Sequence, residues 1–288
     1  MSLPEPRLEG DPAQEHASFA EVPHSSRLLA FIRRIRPTET QVLVATGLLV
    51  GLGAGVGAVV FRYLINWFTY VFFNVLGPWL STVLGPASVV PLPALGGLLF
   101  GPLIYFFARE AKGHGVPEVM LAVAQRGGRI RPAVVVIKAV ASALCIGSGG
   151  SVGREGPIVQ IGSALGSTIG QSLRMSDDRI RTLVACGAAG GIAATFNAPI
   201  AGVFFALEII LGEFTTRAFG VVVISSVTAS VIGRAAFGDV PSFPVPGYQL
   251  ANIGEFGLYV VLALIAGAIG VGFTRTISYA VNTRTEAT

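Results

Sequence analysis

Charge is what this sequence has least of. Only 12% of its 288 residues are Asp, Glu, Lys or Arg, against 52% hydrophobic residues, and the mean hydropathy is +0.69. So few charges cannot cover the surface of a soluble domain this long, which leaves the integral membrane class. Cysteine is scarce too: Cys145 and Cys186 both lie in apolar stretches, which excludes a disulfide framework and makes them small core residues. The first 26 residues lack an apolar segment and carry five acids, Glu5, Glu9, Asp11, Glu15 and Glu21, against Arg7. This excludes a signal peptide and predicts a disordered cytoplasmic tail over 1–26. Neither a metal nor a cofactor is expected.

Positive charge is clustered where it occurs. Arg27, Arg33, Arg34 and Arg36 precede the first apolar run with no acid among them. They lack the aromatic or glycine interleaving of a nucleic-acid patch, so no nucleic-acid partner is expected. The positive-inside rule instead puts the N-terminus in the cytoplasm. A bacterial cell or inner membrane is the expected location.

Apolar runs follow, broken by polar or Pro/Gly stretches. The first, Gln41 to Phe73, predicts one tilted membrane helix, with Gly51/Gly55 and Gly53/Gly57 as a close-packing face. Pro78, Pro86, Pro91 and Pro93 predict a loop. Arg126, Arg129 and Arg131 mark a turn at a membrane surface, and Gly162, Gly166 and Gly170 fall on one helix face. Several runs are shorter than the roughly 17 residues needed to cross a bilayer. Short, Gly/Pro-interrupted segments are what transporters with broken helices show, and the backbone freed at each break must line a wet cavity or be buried in protein.

Three breaks share a plan in which a proline opens a short apolar helix: Gly113-His114-Gly115-Val116-Pro117, Gly153-Arg154-Glu155-Gly156-Pro157 and Phe196-Asn197-Ala198-Pro199. Free N–H groups at such a helix start, with about half a positive charge from the helix dipole, attract an anion. They do so without a full charge, which suits the weak binding that conduction requires. Glu155 at one of these starts would compete with an anion for the same N–H groups and so could act as a gate. The alternatives are helix punctuation in an ordinary bundle and, for Glu155, a surface carboxylate paired with Arg154.

The stretch GSGGSVGREGPIVQIG, Gly147 to Gly162, resembles the signature of the CLC family of voltage-gated chloride channels and chloride/proton antiporters. AAGGIAATFNAPIAGVFFALE, Ala188 to Glu208, resembles the family's next block, and GHGVPE, Gly113 to Glu118, its first anion-binding loop. Together they cover about Arg27 to Phe273. The resemblance implies an all-α polytopic fold, the first inverted repeat of a CLC-type protein with broken and re-entrant helices, in a homodimer whose subunits each have an anion pathway. It implies that Glu155 is the gate, and that His114, Gly115, Val116, Pro117, Gly153, Arg154, Gly156 and Pro157 bind the anion, expected to be chloride.

Three departures qualify that expectation. Family members usually carry Ser or Pro where this chain has His114, whose imidazole could donate a hydrogen bond or, protonated, add charge. Ile209 stands where proton-coupled members carry a second glutamate, which favours a channel or uncoupled transporter over a chloride/proton antiporter unless Glu213, one turn on, substitutes. The family's second half, with its Gly-x-Phe-x-Pro loop and late tyrosine, is absent. The expected division is therefore a membrane domain over 27–275 and a terminal tail over 276–288, truncated before the second repeat. Its partner would be a missing second-half polypeptide, or else the chain is a non-conducting half-protein.

No enzyme activity is expected. Gly149-Gly150-Ser151-Val152-Gly153 matches the serine-hydrolase pattern G-x-S-x-G, but His114 precedes the serine and no acid is placed to orient it. Neither phosphate-binding glycine pattern fits Gly147 to Pro157.

Overall fold

The computed structural model describes residues 39–107, 113, 115–239, 247 and 252–285. The predicted tail at 1–26, the arginine cluster at 27–36 and His114 lie outside them. The described residues are helical and include no strand. Two compact units, Met1–Ser242 and Phe243–Thr288, divide the chain.

The first unit opens with α1 (Glu39–Thr69), which continues through a π-helical stretch (Tyr70–Leu76) into α2 (Gly77–Leu84) and a 3-10 turn (Gly85–Val89). The loop expected at Pro78, Pro86, Pro91 and Pro93 is not there. Pro78 and Pro86 occupy the first turns of these short helices and Pro91 opens α3 (Pro91–Phe107), positions where a missing N–H costs nothing. The unit continues with α4 (Val116–Gln125), α5 (Ala133–Gly147), α6 (Glu155–Ser172), α7 (Asp177–Phe196), α8 (Pro199–Phe205) with a π-helical continuation (Ala206–Leu211), and α9 (Thr216–Phe237).

At the centre stands α7, packed by α6, α1, α8 and α9. It reaches the core by smallness: Ala185, Cys186, Gly187, Ala188, Ala189, Gly190, Gly191, Ala193 and Ala194 are all buried. The predicted glycine face of α6 meets it. A Cβ on Gly162 would overlap the Gly187 carbonyl, one on Gly166 the Leu183 carbonyl, and one on Gly187 the Gly162 carbonyl. Such backbone-to-backbone approach is how helices associate where lipid supplies no hydrophobic drive. Gly51 and Gly55 of α1 likewise press on Ser225 and Ala229 of α9, but Gly53 faces open space and Gly57 meets only the Leu165 and Ile161 side chains. The second predicted pair is therefore not a backbone contact.

Opposite its buried stripe, α1 exposes Leu48, Leu52, Val56 and Val60, an apolar surface suited to lipid. Cys145 and Cys186 are free thiols, the first half-buried and the second buried. The second unit holds α10 (Glu255–Thr285), long and apolar enough over Glu255–Tyr279 to cross a membrane. It continues through 276–285, where a tail was expected.

Candidate anion site

The length of α4 sets the depth of the first break. Its ten residues span about 15 Å, roughly half the hydrocarbon core, and its last turn runs into Arg126, Arg129 and Arg131, the predicted surface turn. A helix of that length running along the membrane normal from that surface would start near mid-membrane. At that start Gly115 has φ +101° and touches the backbone of Gly156, so that a Cβ on it would overlap the Gly156 carbonyl. Only glycine combines that dihedral with that approach. The starts of α4 and α6, far apart in sequence, thus meet.

They meet at a cavity of about 510 Å³. Gly113 and Val116 line it from the first break, Gly153, Glu155, Gly156 and Pro157 from the second, and Lys138 from α5. Ile158 N–H is the first of α6 to bond within the helix, to the Arg154 carbonyl at 3.1 Å. The N–H groups of Glu155 and Gly156 precede it, in the first turn, where no intrahelical acceptor exists. The Glu155 side chain is exposed, and its carboxylate folds back over Gly153, where a Cβ would overlap it. It makes no hydrogen bond or ion pair within 4 Å among the described residues, so the surface pairing with Arg154 is not what holds it.

Arg154 instead stacks its guanidinium 5.1 Å from the Phe196 ring centroid and does not line the cavity; nor does Gly115, whose N–H donates to Glu118 Oε2. Pro117 faces a different groove of about 430 Å³, shared with Met120, Leu121 and Ile209. Glu213 lies past Gly212, whose φ of +70° ends the helix, in a third cavity with Arg179, Arg181 and Arg217. It does not share the groove of Ile209. The third break serves structure: Asn197 is left-handed at φ +54° and accepts from Arg234 Nε at 2.7 Å while donating to Asp239 Oδ1 at 2.9 Å. Replacing Asn197 with Ala is expected to cost about 2 kcal/mol, from one left-handed residue and the lost hydrogen bonds. Thermal unfolding in detergent, with Asn197→Gly recovering part of the loss, checks it.

Sequence reasoning passed over Lys138. It is 4% exposed and donates from Nζ to the Gly113 carbonyl at 2.7 Å. Its only sequence signal was a lone charge in an apolar run, the pattern that marks functional residues in membranes.

Two helix starts and a carboxylate thus share one cavity in a chain of broken, largely apolar helices, the architecture of polytopic membrane proteins with interrupted helices. The profile of the family described as "Voltage gated chloride channel" matches residues 96–287, and the chain belongs to that family. It is similar to the H(+)/Cl(−) exchange transporter ClcA of Vibrio parahaemolyticus, with 35% identity over 222 residues, 75% of this chain and 45% of the relative. To ClcA of Vibrio campbellii it is 32% identical over 272 residues, 91% and 57% of the two chains. Its fold resembles the crystal structure of a CLC-type fluoride/proton antiporter at TM-score 0.65 and 27% identity, covering 82% of this chain and 57% of that one. The chain spans about half the length of the relatives it matches.

Proposed function

We propose that these residues form the Glu155 side of an anion pathway, expected to carry chloride, through the inner membrane. The activity is that of the assembled protein, in which a counterpart to the relatives' other half completes the path and two copies form a dimer. The observation that carries this reading is the meeting of the α4 and α6 starts at one cavity with Glu155 on its wall. Partial positive charge from two helix starts favours an anion without binding it too tightly to leave.

Transport without proton coupling, channel-like or not, is the favoured form. Proton exchange needs a titratable relay on the inner side, and Ile209 supplies none. Exchange is the second reading, favoured by the relatives and the structural neighbour, which carry the names of exchangers. The inner side is assigned from charge: Arg126, Arg129, Arg131, Arg179, Arg181 and Arg217 gather at the end where α1 begins, as the positive-inside rule expects of a cytoplasmic face. Catalysis has no part in this reading.

Vesicles containing the assembled protein and an outward chloride gradient distinguish the two forms. Chloride efflux with no uptake of protons is expected; proton uptake in proportion to chloride lost would establish exchange instead.

A further inference from the structure

The outer ends of the helices carry positive charge where little is expected. From Gln41 to Arg62, α1 rises about 32 Å, close to the thickness of the hydrocarbon core. Arg234 lies in the last turn of α9, at the far end from Arg217, and Arg154 caps the start of α6, at the far end from the turn before Asp177. The positive-inside rule disfavours cations on the outer side, so each needs a local reason to stand there. Arg234 has one, since it pairs with Asp239 at 3.3 Å and donates to Asn197 Oδ1. Arg62 and Arg154 have none of this kind: among the described residues neither meets a carboxylate within 4 Å. Each rests on an aromatic face instead, with Arg62 Cζ 4.1 Å from the Phe237 ring centroid and Arg154 Cζ 5.1 Å from that of Phe196. A ring attracts a cation without neutralising it, so both charges stay available to an anion. The two half-buried guanidinium groups are close enough to repel each other, and Arg154 directly precedes Glu155 on the cavity wall.

We propose that Arg62 and Arg154 form an outer capture site, built from side chains, that draws dissolved anions toward the cavity and so speeds their entry from outside. The inference rests on the anion-pathway reading for what entry leads to, and on the charge arrangement alone for the capture. Two cations without acid partners concentrate anions around them and raise the rate of encounter, an effect that fades as salt screens it. Phe196 and Phe237 hold the pair in place against its own repulsion. Capture of this kind responds to charge and not to anion radius.

Membrane vesicles from cells expressing the assembled protein test it, because right-side-out and inverted preparations offer the anion to opposite faces. Chloride or nitrate is held at one low concentration while a bulky organic anion raises the ionic strength from about 10 mM to about 1 M, over which the screening length falls from about 30 Å to about 3 Å. In right-side-out vesicles Arg62→Gln is expected to slow the uptake of both anions by about threefold at low ionic strength, with the difference gone at high ionic strength. Arg62→Lys, which keeps the charge, is expected to retain most of the parental rate, and Arg62→Glu to lose more than Arg62→Gln. Inverted vesicles are expected to show no such grading, since the anion then enters from the other face. Should Arg62→Gln fail to fold, Arg154→Gln is expected to give the same salt-dependent loss. A loss that persists at high ionic strength, an equal loss in both orientations, or parental uptake in the Gln variant at low ionic strength overturns the capture site. If the parent carries no anion, the pathway reading fails, and crystals grown with bromide decide the site by themselves. Anomalous density beside the two guanidinium groups in the parent and not in Arg62→Gln upholds it; a phospholipid phosphate in that place, or no density, overturns it.

Discussion

Glu155→Ala is expected to leave anion flux that no longer responds to pH, while the unmodified protein passes more anion as the medium is acidified. The carboxylate stands on the first turn of α6, exposed to the cavity and held by no hydrogen bond among the described residues. It is free to swing toward the N–H groups an anion would use. Ionised, it is a tethered competitor for those groups; protonated, it is neutral and a weaker one. Each 1.4 kcal/mol by which it outcompetes the anion lowers open occupancy about tenfold, so removing it is expected to raise flux at neutral pH by about that factor. Flux from proteoliposomes at a series of pH values checks this. An Ala variant with the full pH response of the parent would place the titrating group elsewhere.

The largest effect on folding is expected at the crossing of α6 and α7. In Gly187→Leu the new side chain would be driven into the Gly162 carbonyl and the backbone beside it, and backbone cannot move aside as a flexible side chain can. Overpacking a core costs about 1–3 kcal/mol where side chains can yield; here the helices must separate, and a whole domain is stable by only about 5–15 kcal/mol. Gly187→Leu is therefore expected to abolish the monodisperse folded protein. Gly53→Leu places the same side chain on α1 with nothing within 4 Å and is expected to change stability by about 0.5 kcal/mol or less. Size-exclusion profiles and melting temperatures of the two variants make the comparison. Equal tolerance at both sites would mean that the α6–α7 contact is not what holds the centre.

Much of this was legible because backbone constraints leave residue-type signatures. The Gly162, Gly166 and Gly170 repeat named a helix contact correctly, and the Gly-x-Gly-x-Pro and Gly-Arg-Glu-Gly-Pro breaks named two helix starts. Their meeting was not legible, since it depends on Gly115 touching Gly156 across a chain separation that no periodicity records. The same limit explains Gly53. The spacing Gly53/Gly57 matches a packing pair, but which face of α1 meets a neighbour is decided by α9, which takes the Gly47, Gly51 and Gly55 side. The prolines between 78 and 91 were read as breakers, yet at a first helical turn proline is favourable, and the sequence does not say which turn it occupies. Lys138 shows the remaining gap: a buried cation's partner can be a carbonyl, and a carbonyl leaves no mark in sequence.

The central claim is that an anion rests where the starts of α4 and α6 converge. Crystals of the assembled protein grown with bromide in place of chloride test it directly through anomalous difference density. A peak is expected inside the cavity bounded by Gly113, Val116, Lys138 and the 153–157 turn, stronger in Glu155→Ala than in the parent. Bromide bound elsewhere along a conducting protein, with no peak in that cavity for either form, would contradict it.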